Sequence, residues 1–148
     1  MINLQPINKN NWEDCLNLAV TPQQSQFIPT NVYSLAQAKV YETCEPFGIY
    51  NTQTLIGFVM VARFSGIYWI SRLMIDQRFQ GQGFGKQALE KAVHLLKKRI
   101  GTAEIRTSIA KQNIIGLQLF KSIGFQPLTL ENNDTEIVLR WATKEEEW

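Results

Sequence analysis

Cysteine and histidine are scarce in this chain, which has only Cys15, Cys44 and His94 among its 148 residues. Zinc sites and disulfide frameworks need several such residues at regular, close spacing, and the sequence shows no such cluster. Both cysteines fall in segments that read as helical, and neither is arranged with the histidine for nucleophilic catalysis. We expect reduced, structural thiols, no metal centre and a cytoplasmic protein.

Strong charge and long apolar runs are also missing. The 15 basic and 13 acidic side chains give a formal net charge of +2, which is too small and too dispersed to indicate nucleic-acid binding. No apolar run approaches the roughly 20 residues that span a bilayer, and no leader pattern opens the chain. We expect no nucleic-acid partner, no membrane partner and no secretion. With 45% apolar residues, the chain is predicted to be one domain, residues 1–148.

The glycine-rich segment RFQGQGFGK at residues 78–86 is the most informative part of the chain. Gly81, Gly83 and Gly85 lie between an apolar run rich in β-branched and aromatic residues, Ile67–Ile75, and a predicted amphipathic helix. The first N–H groups of such a helix converge on one point, with the positive end of the helix dipole behind them. The segment therefore predicts a site for a phosphate-bearing ligand.

Two common nucleotide sites fit this segment poorly. A Walker-type loop needs Ser or Thr after its Gly-Lys pair, and Gln87 stands there. A dinucleotide fingerprint can be assembled from Gly83, Gly85 and Ala88, with Glu104 as the ribose-binding acid. However, Glu104 begins the next apolar run, and only 63 residues follow Gly85. The dinucleotide hypothesis stays open as the minor alternative.

A third pattern fits without adjustment. Gln80, Gly83 and Gly85 match the spacing R/Q-x-x-G-x-G/A, and a later segment led by Asn113 ends in the step FKSIGF at residues 120–125. With these two ordered motifs the chain resembles the GCN5-related N-acetyltransferase (GNAT) superfamily, whose acetyl-CoA signature has that spacing at a strand-to-helix junction. The segments PFGIY at 46–50, LIGF at 55–58, RLMID at 72–76 and QG at 80–81 resemble most closely the small bacterial spermine/spermidine acetyltransferases.

The resemblance implies an α+β, single-domain fold with a mixed, mostly antiparallel sheet of about seven strands, flanked by about four helices and splayed between the fourth and fifth strands. The hydrophobic pattern agrees. It predicts strands at Ile2–Ile7, Phe47–Asn51, Thr54–Arg63, Ile67–Ile75, Glu104–Ile109, Phe125–Leu130 and Glu136–Trp141, with a turn at 132–134. It predicts helices after Asn10 or Asn11, from a Ser34–Gln37 capping box to about Glu42, from the glycines to about Arg99, and from Asn113 to Ile123 with Gly124 as its stop; residues 20–33 are predicted to form a loop.

The resemblance implies acetyl-CoA as acetyl donor, with CoA as product. The pantetheine chain is expected along the strand edge near Met74 and Ile75, and the diphosphate against the glycines. The residues expected to bind the donor are Met74, Ile75, Gln80, Gly81, Gln82, Gly83, Phe84, Gly85, Lys86, Asn113, Phe120 and Lys121.

The resemblance also implies direct transfer to a primary amine, without an enzyme nucleophile. A main-chain N–H near Met74 or Ile75 is expected to stabilise the oxyanion. Many relatives have a tyrosine, the proton donor to the CoA thiolate, where this chain has Phe120, and a phenyl ring has no proton to donate. Tyr68, Tyr41 or a water molecule could replace it, or the thiolate could leave without direct protonation, helped by nearby positive potential, so the catalytic residues are unknown.

Three hypotheses for the acceptor stay open. The resemblance favours a polyamine such as spermine or spermidine, whose ammonium groups need carboxylates around them. The others are a peptide or protein amine, and a non-catalytic acyl-CoA-binding sensor. The candidates for the acceptor groove are Glu13, Asp14, Glu42, Glu45 and Asp76, with Phe27 in a loop expected to cover it. Trp141 and Trp148 are compatible with a homodimer.

Overall fold

A computed structural model of the protein describes residues 1–99, 101–128 and 135–142. The strands are β1 Ile2–Pro6, β2 Cys44–Asn51, β3 Thr54–Phe64, β4 Ile67–Ile75, β5 Glu104–Ala110, β6 Gln126–Pro127 and β7 Glu136–Ala142. The α-helices are α1 Trp12–Leu16, α2 Asn31–Val40, α3 Phe84–Lys97 and α4 Ile114–Ser122, with short 3₁₀ turns at Gln24–Gln26 and Gln77–Phe79. The predicted turn at 132–134, the end of the predicted strand at 129–130 and Trp148 lie outside the described residues.

The described strands form one seven-stranded sheet in the order β1-β2-β3-β4-β5-β7-β6. Neighbouring strands are antiparallel except β4 and β5, which run parallel and pair at Tyr68 with Ile105 and at Trp69 with Arg106. Beyond these two pairs the strands diverge. The predicted α+β fold, splayed between its fourth and fifth strands, is therefore confirmed.

The divergence begins at Thr107. This buried threonine of β5 donates its hydroxyl hydrogen bond to the main-chain oxygen of Ile70 on β4, at 2.8 Å. The Ile70 carbonyl lies just beyond the last paired residues of β4 and β5, so the Thr107 side chain supplies the hydrogen bond that the ladder does not. A buried carbonyl left without a partner would reduce stability by about 1–3 kcal/mol. The rest of β4, towards Ile75, has an edge that no strand of the described chain covers.

A β-bulge changes which way the β4 side chains point. Met60 on β3 pairs with Arg72, but the next residue, Val61, pairs with Ile70, so Ser71 is an extra residue on β4. Because side chains alternate along a strand, the extra residue reverses the faces beyond it. Ile70 accordingly packs in the core beneath α3, whereas Met74 packs in the core on the opposite face, and Arg72 shares the face of Met74.

Helices cover the two faces of the sheet unequally. On one face the amphipathic helix α3 buries the residues Ala88, Leu89, Ala92, Val93 and Leu96 against the main core, and α4 adds Leu117 and Phe120. On the other face a smaller core contains Cys15 of α1 and Phe58, Met60 and Met74 of the sheet, with Leu35 and Ala38 of α2 packed against it. The cleft between β4 and β5 opens beside both cores.

The start of α2 corrects a prediction. The helix begins at Asn31, inside the predicted loop, because the Thr30 hydroxyl accepts a hydrogen bond from the main-chain nitrogen of Tyr33 at 3.2 Å. The predicted capping box at Ser34 and Gln37 is wrong. Ser34 is buried within the helix, and the Gln37 side chain accepts a hydrogen bond from Arg72 instead.

Predictions for single residues at the ends of other elements are partly confirmed and partly wrong. Cys44 was predicted to be helical, but it begins β2, and its buried side chain belongs to the smaller core. Asn11 precedes α1 as predicted, yet its side chain makes no capping bond to that helix. Asn113 caps α4 by accepting from the Gly116 main-chain nitrogen at 3.0 Å, and Gly124 follows that helix with a φ of 109°, both as predicted.

Candidate active site

A cleft of about 630 Å³ lies where β4 and β5 separate. Its walls come from these strands, the glycine turn at residues 80–85, the first part of α4 and the loop before α2. The structure brings ten of the residues expected to bind the donor into this lining: Met74, Ile75, Gln80, Gly81, Gly83, Phe84, Gly85, Lys86, Asn113 and Phe120. Gln82 and Lys121 do not line the cleft.

The main chain of β4 offers polar groups to the cleft at alternate residues. The Asp76 nitrogen donates to Ile56 on β3 at 2.8 Å, so the Asp76 amide faces β3. The Ile75 carbonyl faces the other way and accepts from the Gln80 side chain at 2.8 Å. By the alternation of an extended strand, the amide of Leu73 also faces the cleft and that of Met74 faces β3. Of the two amides expected near the site, Met74 or Ile75, that of Ile75 faces the cleft and that of Met74 does not, and sequence reasoning missed Leu73.

The glycine turn positions a second set of main-chain groups. Gly81 and Gly83 have φ angles of 81° and 83°, a conformation that other residues seldom adopt, and a Cβ at either position would meet no protein atom within 4 Å. Gly83 precedes α3, whose first-turn N–H groups have no acceptors within the helix and whose first turn holds no acidic side chain. This open, donor-rich surface can bind an anion.

Gly85 has a different structural role. It lies in the first turn of α3, and a Cβ there would be 3.6 Å from the Leu119 side chain and 3.9 Å from that of Ile75. Those distances are ordinary van der Waals contacts. Gly85 therefore lies against the apolar wall of the cleft, and its backbone conformation is one that any residue can adopt.

A pair of glutamine side chains joins the glycine turn to the loop before α2. Gln80 and Gln24 exchange amide hydrogen bonds of 2.8 and 3.0 Å, and both residues line the cleft. Gln80 also donates to Ile75, as described above. Phe27 also lines the cleft from the same loop. Gln24 was missed because nothing in its local sequence indicates its partner.

Phe120 forms part of the apolar wall. Its side chain is 5% exposed and packs edge to face against Phe125, with ring centroids 5.1 Å apart. The ring lines the cleft and brings no hydroxyl to it. This arrangement gives the cleft an apolar surface at the position where the resemblance implies a tyrosine in many relatives.

Arg72 brings a half-buried cation to the cleft. One terminal nitrogen donates to the Gln37 side chain at 3.0 Å and the other to the main-chain oxygen of Ser71 at 2.7 Å. Its Nε is buried with no hydrogen-bond partner among the described residues. Burial lowers the pKa of the guanidinium from its ordinary value, and the nearby Glu136 carboxylate is among the groups that oppose this.

Glu136 supplies a negative charge to the same cleft. It begins β7, and its Oε1 accepts a hydrogen bond from the Ser108 hydroxyl on β5 at 2.8 Å. Among the described residues that line the cleft, it is the one carboxylate. Sequence reasoning treated Glu136 only as the start of a strand. Its position follows from the pairing of β5 with β7, which no local pattern reveals.

The two tyrosine candidates for proton donation lie outside the cleft lining. Tyr68 is at the closed end of the β4–β5 pair, opposite Ile105, where Arg99 stacks on its ring at 5.3 Å. Tyr41 follows α2 and is largely exposed. The structure therefore brings neither hydroxyl to the place where β4 and β5 diverge.

The carboxylates proposed for the acceptor groove do not line the cleft either. Glu45 forms an ion pair with Arg99, and Glu42 is exposed beyond the end of α2. Asp76 is buried, and its side chain accepts hydrogen bonds from the main-chain nitrogens of Ala19 and Arg78, both at 2.9 Å, and from the Arg78 guanidinium. Although burial opposes ionisation, these bonds hold the pKa of Asp76 below its ordinary value.

Glu13 and Asp14, in the first turn of α1, are also absent from the cleft lining.

The cysteines are unsuited to acyl transfer. Burial raises the pKa of Cys15 to about 11, although a hydrogen bond with Asn31 opposes the change. Burial also raises the pKa of Cys44. Both thiols are buried outside the cleft lining, so neither offers an accessible thiolate near neutral pH.

The described residues contain neither a candidate metal site nor a candidate membrane-spanning helix. Within residues 1–99, 101–128 and 135–142, no cluster of His, Cys, Asp and Glu side chains could hold a metal ion. No helix in the described part of the chain is long and apolar enough to cross a membrane.

Comparison with known proteins agrees with this geometry. Residues 12–125 match the profile of the Acetyltransferase (GNAT) family. Spermine/spermidine N(1)-acetyltransferase of Bacillus subtilis (strain 168) is 31% identical over 133 residues, which cover 84% of this chain and 88% of that protein. The predicted resemblance is thereby confirmed.

Solved structures share the fold at low sequence identity. The PaiA N-acetyltransferase of Thermoplasma acidophilum in complex with coenzyme A has a TM-score of 0.74 at 17% identity and covers 97% of this chain and 99% of its own. Aminoglycoside acetyltransferase AAC(6')-Ib in complex with coenzyme A has a TM-score of 0.80 at 13% identity, with coverage of 99% and 98%.

Proposed function

The chain belongs to the acetyltransferase (GNAT) family and is an acetyl-CoA-dependent N-acetyltransferase, and from this premise we propose that its acceptor is a polyamine such as spermine or spermidine. The observation that best supports a polyamine acceptor is the 31% identity, over most of both chains, to a spermine/spermidine acetyltransferase. The cleft supports it, since it offers a carboxylate to a cationic substrate.

The glycine turn fits the diphosphate of acetyl-CoA. The space beside Gly81 and Gly83 is open where a Cβ would project, so phosphate oxygens can approach the main chain closely. The N–H groups at the start of α3 donate to them, and Lys86 adds a positive charge from the same turn. Acetyl-CoA brings the activated acetyl group to the site as a thioester.

The edge of β4 fits the pantetheine part of the donor. The amide groups of Leu73 and Ile75 face the cleft, and an extended chain that carries its own amides can bond to them as another strand would. The ring of Phe120 and the side chain of Leu119 provide an apolar wall beside that path. Asn113 holds the wall in place by capping α4.

The chemistry is direct transfer between donor and amine. The amine nitrogen, in its neutral form, bonds to the thioester carbonyl carbon; the C–S bond breaks, sulfur keeps its electron pair and is protonated, and nitrogen loses a proton to solvent. An N–H of Leu73 or Ile75 stabilises the negative oxygen that develops. Phe120 donates no proton, so water supplies it to the thiolate in this proposal.

An amine panel tests the acceptor. With saturating acetyl-CoA, release of the CoA thiol is measured with spermine, spermidine, a peptide with a free α-amine, a lysine peptide and an aminoglycoside, with an amine-free blank for hydrolysis. We expect kcat/KM for the polyamines to exceed that for every other amine by about tenfold or more. Equal turnover of all amines would reject the polyamine. Binding of acetyl-CoA without thiol release from any amine would favour the sensor hypothesis.

A further inference from the structure

We propose that Glu136 is the specificity-determining carboxylate of the acceptor site, which pairs with one ammonium group of the polyamine while another nitrogen of the same molecule is acetylated. This inference rests on the proposed function and assigns its recognition step to one side chain. Glu136 would touch the substrate away from the reacting atoms, so it is a binding residue.

The sheet register places Glu136 on the correct face. Glu136 pairs with Ala110 in the antiparallel ladder of β5 and β7, and paired residues point to the same side. The neighbouring pair, Ile109 with Ile137, packs into the core beneath α3. Glu136 and Ser108 therefore point to the opposite side, the face to which the β4 bulge also turns Arg72.

Ser108 orients the carboxylate. Its hydroxyl donates to one carboxylate oxygen at 2.8 Å from β5. A carboxylate has lone pairs for several donors, so an ammonium group can bond to this side chain alongside its protein partners. The serine thereby fixes the direction from which a cation is bound.

The surroundings make this charge important. Much of the cleft is apolar, with Phe27, Phe79, Phe84, Ile115, Leu119 and Phe120 in its lining. An ammonium group that leaves water for such a place is stabilised only if an opposite charge accepts its hydrogen bonds. Glu136, which is exposed at the edge of this lining, is the carboxylate that the described lining offers, and Glu42, Glu45 and Asp76 are not part of it.

Arg72 and Lys86 are the cations of the described lining. In this proposal the Arg72 guanidinium orients the acceptor. A fixed guanidinium disfavours a second positive charge beside it. An acceptor with several nitrogens therefore binds with a protonated nitrogen at Glu136. The nitrogen nearer Arg72 is more readily neutral, which is the form that attacks the thioester.

The test compares Glu136→Gln with the parent enzyme on two substrates, spermidine and butylamine, which lacks a second nitrogen. Loss of one charge-assisted hydrogen bond should raise the KM for spermidine about 10- to 100-fold and change kcat much less. Kinetics with butylamine should be unchanged, since its single nitrogen is the one that is acetylated and no second ammonium group is left for Glu136. The Kd for acetyl-CoA should also stay the same.

Three further variants distinguish a loss of charge from a loss of structure. Glu136→Asp keeps the charge and should recover part of the spermidine affinity, and Ser108→Ala should raise the spermidine KM about two- to fivefold. Glu42→Gln removes an equal charge from an exposed position outside the cleft and should leave every constant unchanged. Thermal unfolding of each variant shows whether the fold is intact, and Ser108→Ala keeps the test decisive if Glu136→Gln does not fold.

The outcomes distinguish this inference from the proposed function. If the parent enzyme acetylates polyamines and Glu136→Gln leaves the spermidine KM unchanged, the assignment of Glu136 is wrong while the proposed function stands. Equal loss with spermidine and butylamine would also overturn it, because a role in recognising the second nitrogen cannot affect a monoamine. If the parent enzyme does not acetylate polyamines, both proposals fail.

Discussion

The two halves of the cleft are built from different parts of the polypeptide. The glycine half, which comprises Gly81, Gly83 and the first turn of α3, presents main-chain N–H groups and open space. The charged half, which comprises Arg72, Ser108 and Glu136, presents side chains from three strands. One half depends on backbone conformation at a few consecutive residues, and the other depends on how distant strands are paired.

This difference has a physical consequence for ligand recognition. Main-chain donors recognise a phosphate or an amide whatever side chains surround them, so the glycine half suits a ligand that is the same in every turnover. Side chains distinguish ligands by charge and shape, so the charged half suits the variable partner. Substitutions should therefore affect donor binding in the first half and acceptor choice in the second.

The largest effect is expected from Gly83→Ala in the glycine half. Its methyl group would project into the open space beside the turn, where the diphosphate is proposed to lie. We expect the Kd for acetyl-CoA to rise about 30-fold or more, because at least one charge-assisted hydrogen bond is lost. Isothermal titration with acetyl-CoA measures this directly.

Gly66→Ala is the matched control. Gly66 lies in the β3–β4 turn outside the cleft lining, with a φ of 79° and, like Gly83, no atom within 4 Å of a Cβ position. Both variants therefore incur the same backbone strain, about 1 kcal/mol, and should show similar losses in Tm. Equal affinity for acetyl-CoA in the two variants would show that the diphosphate does not bind at the glycine turn.

Most of the fold could be predicted because its signals are local. Runs rich in apolar residues mark β3 and β4, the stripe from Ala88 to Leu96 marks α3, and the glycines mark the turn between β4 and α3. The start of α2 was missed because Thr30, within a stretch rich in polar residues and prolines, gave no stronger signal than Ser34. The placement of Cys44 failed because β2 is longer than its apolar pattern.

The candidate site could be predicted only in its glycine half. Consecutive residues form that half, so a single sequence motif includes all of its residues. The charged half could not be predicted, since Glu136 meets Ser108 through a register set by β5 and β7, and Arg72 faces the cleft through a bulge. The position of Tyr68 could not be predicted for the same reason: its pairing with Ile105 places it at the closed end of the β4–β5 pair, outside the cleft lining.

Asp76→Asn tests the hydrogen bonds that hold the turn before the glycine half. We expect an effect of intermediate size, and we expect it on protein stability. The buried carboxylate joins the main chain after α1 to the turn that leads to the glycines, through bonds to Ala19 and Arg78. Asparagine removes the charge from these bonds and places an amide NH₂ among donors. We expect the free energy of unfolding to fall by about 2 kcal/mol at neutral pH.

The pH dependence of this stability loss shows whether the charge of Asp76 causes it. The pKa of Asp76 is lower in the folded protein than its ordinary value, so its stabilising contribution is complete above about pH 4 and is lost as the pH falls through the folded-state pKa. The stability gap between Asp76→Asn and the parent should therefore narrow on acidification in chemical unfolding experiments. Asp14→Asn, in the first turn of α1, is the control. A gap that stays constant down to about pH 2 would assign the loss to packing instead of charge.

The smallest expected effect concerns the glutamine pair that joins the glycine turn to the acceptor loop. Gln24→Ala, Gln80→Ala and the double variant form a cycle that isolates the reciprocal amide bonds. Gln80→Ala also removes the bond to the Ile75 carbonyl, and the cycle subtracts that contribution. We expect a coupling energy of about 0.5–1 kcal/mol in the free energy of unfolding.

Measurements of substrate binding show which half of the cleft depends on the glutamine pair. If the pair transmits order from the turn to the loop that contains Phe27, Gln24→Ala should raise the acceptor KM about threefold and leave the Kd for acetyl-CoA unchanged, because the turn keeps its main-chain conformation. A larger change in the Kd for acetyl-CoA than in the acceptor KM would mean that the loop supports the glycine half. The two halves would then share a side-chain support, and the division between a main-chain donor site and a side-chain acceptor site would not hold.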